Sequence, residues 1–325
     1  MKKITTISVI IPTYNRPELL KKIISSIAKS TISNEIIICD GGSTIHSKTK
    51  IKQLIIDHEY HKIKYIDVGA NIHSKKRNAG LKEAKSKYVV FLDDDCIPEK
   101  RFLENYYLIL EKYKNKNFIF CGTVVYPNFK HIRNFVKFRQ SRHFSINKNN
   151  KIDNQYLEPQ KIVTMNMAFK KKILFDNKIF FDERFNKYGF EDYEFGFRLF
   201  EKKIKLVPSY PKVIHYDNRN FKQYLDKIKY VGYEGSKYLA KINKKASIKN
   251  NFIKLENNFI IKKIKKFKSV VCLLIFLEKK FVKLENKISF PNLFYRILIA
   301  NAYLIGYLSK NDKKINDDLS RSWYK

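Results

Sequence analysis

Apolar and polar residues form two different periodic patterns along the first 125 residues of the chain. Short β-branched apolar runs, typical of strands buried in a sheet, alternate with stretches in which apolar residues recur every three or four positions. Strands that alternate with helices in this way indicate an α/β fold with a mostly parallel sheet and right-handed crossovers. The predicted strands cover residues 7–11, 36–39, 63–68, 88–92 and 118–123.

The helices between these strands are predicted from capping residues as well as from periodicity. Asn15 and Glu18 have the spacing of a capping box, ahead of an apolar stripe over residues 19–27. A second helix is predicted over residues 74–85, with its first residue, a serine, as the cap. A third helix is predicted after Pro98.

The pattern changes twice beyond residue 125. Residues 126–160 are polar, aromatic and irregular, which predicts a mobile loop or lid, and a strand over 162–169 and a helix over 190–202 follow. From about residue 222 only helical periodicity remains. The predicted organisation is an α/β domain over 1–221, with halves 1–125 and 126–221, and a helical basic region over 222–325.

Polar residues follow three of the predicted strands at the point where each strand ends. They are the segments 12–16 (Pro-Thr-Tyr-Asn-Arg), 40–43 (Asp-Gly-Gly-Ser) and 93–95 (three aspartates). In an open parallel sheet, ligands bind beyond the carboxyl ends of the strands. The convergence of these segments therefore predicts a binding site at that edge.

The three consecutive aspartates are the strongest chemical signal. In an extended backbone Asp93 and Asp95 project to the same side, where two carboxylates repel each other unless a proton or a cation lies between them. A hard divalent cation with oxygen ligands relieves the repulsion and keeps positions free for phosphate oxygens. A solvated acidic loop is the alternative, but these acids follow a buried strand in a chain with 31 acidic and 66 basic residues. This setting favours a metal site.

Two further segments near that edge have both a functional and a structural interpretation. Asp40 precedes two glycines, so its carboxylate could accept hydrogen bonds from a nucleobase or ribose, or the segment could be an ordinary Asp-Gly turn. Lys75, Lys76 and Arg77 lie in the first turn of a predicted helix, where cations oppose the helix dipole. Contact with a diphosphate would explain them, as would simple exposure to solvent.

Candidate site residues also occur in the second half of the chain. Glu191, Asp192 and Glu194 open a predicted helix, where acidic residues are expected for structural reasons alone. His215 follows a short apolar run and could be either a structural residue or a metal ligand. The residue pattern by itself leaves both alternatives open.

Six of these segments, taken in order, resemble glycosyltransferases of family 2, which have the GT-A nucleotide-diphospho-sugar transferase fold. The resemblance runs from residue 5 to about residue 218, and the segment at 91–95 is similar to the DxD motif of that family. Gly41 stands where the family more often has a second acidic residue. The matching segments are 10–16, 40–43, 77–80, 91–95, 164–168, and 189–192 followed by Arg198.

The resemblance implies an inverting transferase with a nucleotide-sugar donor, a divalent cation and a carboxylate general base. A cation stabilises the leaving diphosphate, and a base helps to deprotonate an acceptor hydroxyl. The first half of the catalytic domain would bind the donor and the second half the acceptor. Implied roles are donor binding for Pro12, Tyr14, Arg16, Asp40, Arg77, Asp93 and Asp94, Mn²⁺ or Mg²⁺ binding for Asp95 and His215, acceptor binding for Asn166, and base catalysis for Asp192 with Glu191.

By the same analogy the donor is a UDP-sugar, and the acceptor is a glycan or lipid-linked oligosaccharide of a cell-surface polysaccharide. A nucleotidyltransferase would share the sheet and the carboxylates, but residues 10–20 contain no glycine for a phosphate loop. A nucleic-acid-binding protein would explain the net charge of +35. Its basic residues would cluster on one face, whereas here they are spread along the chain, so we expect no nucleic-acid partner.

The C-terminal region suggests a membrane surface as a partner. An apolar run at 270–277 follows a cluster of lysines, and a second at 293–308 contains Arg296 and Asn301. Neither run reaches the roughly 20 residues needed to cross a bilayer, and the four cysteines lack C-x-x-C spacing, as expected for a cytoplasmic protein. We therefore expect interfacial helices on the inner face of the cytoplasmic membrane, with packing against the catalytic domain or a second subunit as the alternative. The cluster is Lys262, Lys263, Lys265, Lys266 and Lys268.

Overall fold

Eight strands form one sheet in the computed structural model, which describes residues 6–59, 61–127, 133–146, 155–264, 268–285, 287–288 and 290–309. Along the sheet the strand order is β3-β2-β1-β4-β7-β6-β8-β5. The strands are β1 (Ile7–Thr13), β2 (Asn34–Asp40), β3 (Lys62–Asp67), β4 (Tyr88–Leu92), β5 (Cys96–Pro98), β6 (Phe118–Val125), β7 (Asn166–Lys170) and β8 (Lys205–His215).

The sheet is parallel in its first half and mixed in its second. Strand β1 pairs in parallel with β2 and β4, and β2 pairs in parallel with β3. Strand β7 is antiparallel to both β4 and β6, whereas β6 and β8 are again parallel. Because β1, β2 and β4 point the same way, their carboxyl ends lie at one edge, as the sequence predicts.

Helices flank the sheet and fill the C-terminal part of the chain. Their bounds are α1 (Pro17–Ile27), α2 (Ile45–Ile56), α3 (His73–Glu83), α4 (Phe102–Lys112), α5 (Arg133–Arg142), α6 (Lys171–Asp176), α7 (Glu191–Glu201), α8 (Phe221–Tyr230), α9 (Ser236–Ile242), α10 (Lys244–Lys249), α11 (Asn251–Glu256), α12 (Phe259–Ile264), α13 (Lys268–Glu285) and α14 (Asn292–Leu308). A π-helical turn, Val231–Gly235, connects α8 to α9.

Both faces of the sheet are buried, which explains why its strands are continuous apolar runs. On β1, Ile7, Val9 and Ile11 belong to one buried cluster, and Ile10 belongs to the cluster on the opposite face. The same alternation divides β2, where Ile36 and Ile37 face opposite sides. The sheet therefore holds its carboxyl edge rigidly from two sides.

The chain divides into two compact units. The first comprises Met1–Pro127, His143–Asn186 and Glu191–Asp217, and contains the sheet. The second comprises Asn128–Arg142, Lys187–Phe190 and Asn218–Lys325. The longest segment of the second unit begins at residue 218, close to the predicted limit at 221. The unit also includes two short segments from the predicted acceptor half.

The second unit has its own aromatic core. Phe135 and Phe138 of α5 pack with Tyr295 of α14, whose ring lies 4.6 Å from that of Phe138 between centroids. Helix α14 approaches α8 so closely that a Cβ atom at Gly306 would lie only 1.9 Å from the carbonyl oxygen of Lys229. A glycine is therefore required at this contact. The prediction of a helical region beyond residue 222 is confirmed for the residues that the structure describes.

Several local predictions are wrong for identifiable reasons. Asn15 does not cap α1; it has φ of 54°, and its side-chain oxygen accepts the Thr44 N–H at 2.8 Å. The cap of α3 is Ile72, and Ser74 is buried inside the first turn. The predicted loop at 126–160 contains α5 and a short 3₁₀ helix, with residues 128–132 and 147–154 outside the described residues. Helix α2 and the short strand β5 were not predicted.

Candidate active site

The predicted edge of the sheet does bring three polar segments together. Thr13 at the end of β1 is in register with Asp40 at the end of β2. The Thr13 hydroxyl donates to Asp94 Oδ2 at 2.9 Å, and the Tyr14 N–H points to the same oxygen at 3.3 Å. The loop after β1 is thus bonded to the loop after β4.

The three aspartates after β4 do not lie in an extended backbone as expected. The Cys96 N–H donates to the Asp93 carbonyl at 3.0 Å, which closes a turn. Each carboxylate consequently has its own partners: Asp93 contacts Arg77, Asp94 contacts Thr13, and Asp95 contacts His215. Asp94 and Asp95 nevertheless stay close enough to share one nitrogen of Arg16.

Arg16 joins two of these carboxylates. One guanidinium nitrogen, Nη1, lies 2.9 Å from Asp94 Oδ1 and 2.7 Å from Asp95 Oδ2. Burial raises the pKa of Asp94 to about 6, against the opposing charge of Arg16. Burial also acts to raise the pKa of Asp95, but His215 and Arg16 outweigh it and hold that pKa below its ordinary value. His215 and Arg16 therefore favour the ionised form of Asp95.

Asp95, Cys96 and His215 form a candidate cation site. Their ligand atoms lie within 4.8 Å of one another, and all three residues are buried. Cys96 of β5 pairs with His215 of β8 in antiparallel register, which brings the imidazole Nε2 to 3.3 Å from Asp95 Oδ1. Carboxylate oxygens and imidazole nitrogens are both common protein ligands of divalent cations.

Arg77 connects the aspartate loop to α7. Its side chain is only 3% exposed, with Nη2 2.9 Å from Asp93 Oδ1 and Nη1 3.4 Å from Asp192 Oδ1. The guanidinium also lies over the ring of Phe181, at 5.3 Å from its centroid. A buried cation between two carboxylates fixes the position of Asp192 relative to the loop after β4.

The acidic residues that begin α7 differ in their exposure. The Asp192 side chain is 40% exposed, whereas Glu191 and Glu194 are buried. Glu194 forms a two-pronged ion pair with Arg198 one turn later, at 2.7 and 3.0 Å. A base must reach the hydroxyl from which it takes a proton. Of these three acids Asp192 is the most exposed, and Glu194 has a structural partner.

Comparison with known proteins agrees with this geometry. The family model described as glycosyl transferase family 2 matches residues 8–175, which is more than half of the 325-residue chain. The chain belongs to glycosyl transferase family 2. It is 29% identical to chondroitin synthase from Escherichia coli over 230 residues, which cover 60% of this chain and 32% of that protein. The chain thus spans about a third or less of the full length of the first curated relatives it matches.

Solved structures of other transferases show the same fold. The mannosyltransferase PcManGT from Pyrobaculum calidifontis, in complex with GDP-Man and Mn²⁺, superposes with a TM-score of 0.59 at 16% identity, covering 96% of this chain and 89% of that one. TarS 1–349 from S. aureus, in complex with UDP-GlcNAc, gives a TM-score of 0.51 at 14% identity, covering 95% and 92%. The predicted GT-A type fold and family are confirmed, and sugar transfer is favoured over the nucleotidyltransferase alternative.

Asp40 of this family 2 chain is held more tightly than the sequence suggests. Its carboxylate has no exposed surface and accepts hydrogen bonds from the Ser43 N–H at 3.0 Å, the Ser43 hydroxyl at 2.6 Å and the Tyr65 hydroxyl at 2.6 Å. These contacts shape the loop after β2. Tyr14 and Arg16 remain exposed at this edge, and Pro12 is buried.

The structure places a further charged residue, Lys76, at this site, where the sequence pattern indicated only one of three cations at the start of a helix. Lys76 of α3 is 2% exposed, and its ammonium donates to Asn71 Oδ1 at 2.8 Å and to the Thr13 carbonyl at 3.3 Å. Burial lowers its pKa to about 8, although Asp94 opposes the shift. Lys76 is thus a buried positive charge beneath the loop after β1, as Arg77 is beneath the loop after β4.

Asn166 does not have the environment of an acceptor-binding residue, which corrects the prediction. It is fully buried, and its side-chain oxygen accepts the Tyr106 hydroxyl at 2.6 Å. Its amide donates to the carbonyls of Thr123 and Pro211, both at 3.0 Å. Because β7 lies between β4 and β6, the side chain is used to join strands of the sheet.

We expect Asn166→Ala to lower the free energy of unfolding by about 2–4 kcal/mol, because it leaves a buried hydroxyl and two buried carbonyls without their partner. Urea denaturation measures the change, and Asn117→Ala, at an exposed position, is the matched control and should shift stability by less than about 0.5 kcal/mol. If Asn166→Ala is as stable as the wild type but binds acceptor poorly, the acceptor role is restored.

Proposed function

We propose that this family 2 enzyme is an inverting transferase that moves a sugar from a UDP-sugar to a hydroxyl of a glycan or lipid-linked oligosaccharide, in the synthesis of a cell-surface polysaccharide. The single observation that carries the proposal is the chain of contacts from Asp93 through Arg77 to the exposed Asp192. It connects the loop that bears the candidate cation site to a carboxylate open to an acceptor. Donor complexes of fold relatives with UDP-GlcNAc and GDP-Man support a nucleotide-sugar.

In the proposed reaction the acceptor oxygen forms a bond to the anomeric carbon as the bond from that carbon to the diphosphate oxygen breaks. Asp192 takes the hydroxyl proton, and the electron pair of the broken bond leaves with the nucleoside diphosphate. Arg77 would orient Asp192 from the buried side, and the exposed part of that carboxylate would face the acceptor. One direct displacement inverts the anomeric configuration.

Asp95 and His215 would hold the divalent cation, Mn²⁺ or Mg²⁺. When bound, the cation neutralises the negative charge that develops on the leaving diphosphate. Tyr14, Arg16, Asp93 and Asp94 surround the same edge and would contact the donor, with Pro12, Asp40 and Arg77 supporting them. Cys96 contributes a buried thiol whose pKa is raised well above its ordinary value by burial and by Asp95, so it is a poor ligand.

A nucleotide-release assay tests this proposal. The enzyme is incubated with Mn²⁺, a panel of UDP- and GDP-sugars, and acceptors extracted from bacterial membranes, and the released nucleoside diphosphate is measured. We expect release from one class of UDP-sugar. Pyrophosphate release from a nucleoside triphosphate and a sugar phosphate, with no release from any nucleotide-sugar, would instead establish a nucleotidyltransferase.

We further propose that the enzyme works at the inner face of the cytoplasmic membrane. No helix in the described part of the chain is long and apolar enough to cross a bilayer. Helix α13 nevertheless exposes several apolar residues: Leu273, Phe276, Leu277 and Leu284 are between 39% and 55% exposed. An exposed apolar patch on a soluble unit marks an interaction surface.

The inward side of α13 carries two buried acidic residues beside the apolar Phe281 and Val282. Glu278 is 4% exposed and pairs with Lys229 Nζ at 2.5 Å, and Glu285, equally buried, accepts the Tyr295 hydroxyl at 3.0 Å. Lys279 and Lys280 are exposed. The outer surface therefore combines apolar side chains with positive charge, while its negative charges are turned inward.

An anionic lipid surface fits this combination better than a second copy of the chain. Two copies joined face to face would bring their exposed lysines together, whereas anionic headgroups attract them and the acyl region accepts the leucines. The predicted lysine cluster is described only in part. Lys263 is exposed, and its Nζ lies 4.4 Å from the centroid of the Phe259 ring, whereas Lys265 and Lys266 lie outside the described residues.

Liposome flotation measures membrane binding directly. We expect the protein to float with vesicles of phosphatidylcholine and phosphatidylglycerol at low salt, and not with phosphatidylcholine alone. The triple variant Leu273→Ser, Phe276→Ser, Leu277→Ser should bind at least about a hundredfold less, because each apolar side chain contributes about 1.5–3 kcal/mol on burial. The matched control replaces three exposed apolar residues of the first unit, Ile45, Ile56 and Leu108, with serine. Wild-type protein that stays in the soluble fraction contradicts the proposal.

A further inference from the structure

Arg16 contacts Asp95, the carboxylate that a bound cation would use. Asp95 is engaged at both carboxylate oxygens, Oδ2 by Arg16 Nη1 at 2.7 Å and Oδ1 by His215 Nε2 at 3.3 Å. The same Arg16 nitrogen contacts Asp94 at 2.9 Å. A divalent cation held by Asp95 and His215 would have to approach these oxygens, where the guanidinium already provides the positive charge.

The two arginines at the aspartate loop differ in their freedom to move. Arg77 is almost completely buried and is tied to Asp93 and Asp192. Arg16 is 46% exposed along its side chain, so a large part of that side chain borders solvent. Of these two cations, Arg16 is the one that can leave its carboxylates without disturbing the core.

The backbone that carries Arg16 is fixed. The Asn15 N–H donates to the Ser43 hydroxyl at 2.8 Å, its side-chain oxygen accepts the Thr44 N–H at 2.8 Å, and Pro17 is the first residue of α1. Proline restricts its own φ and the conformation of the residue before it. Any movement of Arg16 is therefore a swing of the side chain alone.

We propose that Arg16 is a positioning residue that takes the place of the cation in the metal-free enzyme and releases Asp95 when the cation binds. Two positive groups at the same carboxylate repel each other, so guanidinium and cation exclude one another. The displaced guanidinium remains at the carboxyl edge of the sheet, where a diphosphate group is its natural partner. The inference rests on the cation site of the proposed function, and it couples metal binding to donor binding through one side chain.

Mn²⁺ titration without nucleotide, followed by electron paramagnetic resonance of the free ion, tests the exchange. We expect Arg16→Gln to bind Mn²⁺ about tenfold more tightly than the wild type, the gain that follows if Arg16 closes the site about 90% of the time. Arg16→Lys, which keeps the charge, should stay near the wild-type affinity. UDP affinity at saturating Mn²⁺ should fall in Arg16→Gln, because the released guanidinium is missing.

Arg184→Gln is the matched control, since it removes an arginine that pairs with Asp182 at the surface of the same unit. It corrects for the change in net charge and should leave Mn²⁺ affinity unchanged. Mn²⁺ binding by Arg16→Gln that equals or falls below that of the wild type overturns the exchange. If neither protein binds Mn²⁺, the cation site itself is overturned. Nucleotide release measured with other metals then shows whether the enzyme still transfers sugar, so failure of the cation site is distinguished from failure of the proposed function.

Discussion

Asp192→Asn is expected to lower kcat by about two to four orders of magnitude, the usual contribution of a general base. Asparagine keeps the shape of the side chain and the oxygen that Arg77 contacts, but it cannot accept the proton of the acceptor hydroxyl. Affinity for UDP and Mn²⁺ should stay close to that of the wild type. Steady-state nucleotide release and calorimetric titration of UDP separate the two effects.

Glu191→Gln is the control for this result, because Glu191 is the adjacent carboxylate and is buried. Its effect on kcat should be much smaller than that of Asp192→Asn. The reverse pattern, with a large loss in Glu191→Gln and none in Asp192→Asn, would assign the base to Glu191.

Asp95→Asn is expected to abolish the contribution of Mn²⁺ to UDP binding, a loss of at least about 100-fold, since changes to residues that merely support a ligand already cost 10–100-fold. The variant loses the carboxylate that His215 and Arg16 keep ionised. Titration of UDP with Mn²⁺ or with a chelator measures the difference between the two conditions.

Asp94→Asn is the matched control, because Asp94 is the neighbouring residue but bonds to Thr13 and Arg16 instead of the cation group. Because Asp94 is also proposed to contact the donor, UDP affinity itself can fall in this variant, but the dependence of UDP binding on Mn²⁺ should be kept. Equal metal dependence in the wild type and in Asp95→Asn would show that the cation is held elsewhere.

Elements with strong local patterns were predicted well. Strand β4 has the predicted bounds, Tyr88–Leu92, because every residue in it is buried. Motif order also pointed to Asp95, Asp192 and His215 as candidates, and the structure places Asp95 Oδ1 3.3 Å from His215 Nε2. The contact between Arg77 and Asp192 spans 115 positions in sequence, and no local pattern contains it. It follows from the sheet topology, which brings α3 and α7 to the same edge.

Two of the incorrect predictions share a cause, because in each a side chain bonds to a partner that is distant in sequence. Asn15 has the right spacing for a helix cap, but Ser43 and Thr44 bind it instead. Asn166 is on the predicted strand, but its side-chain oxygen accepts a hydrogen bond from Tyr106, which is 60 positions away in the sequence. The apolar run at 270–277 is equally compatible with a core helix and an interfacial one, and only the burial of Glu278 and Glu285 shows which side faces outward.

The stereochemistry of transfer tests the central claim most directly. Proton NMR of the reaction with Mn²⁺, the active UDP-sugar and its acceptor follows the anomeric signal of the donor and that of the new linkage. Direct displacement with Asp192 as base predicts a product whose anomeric configuration is opposite to that of the donor. A product that retains the donor configuration would contradict the account.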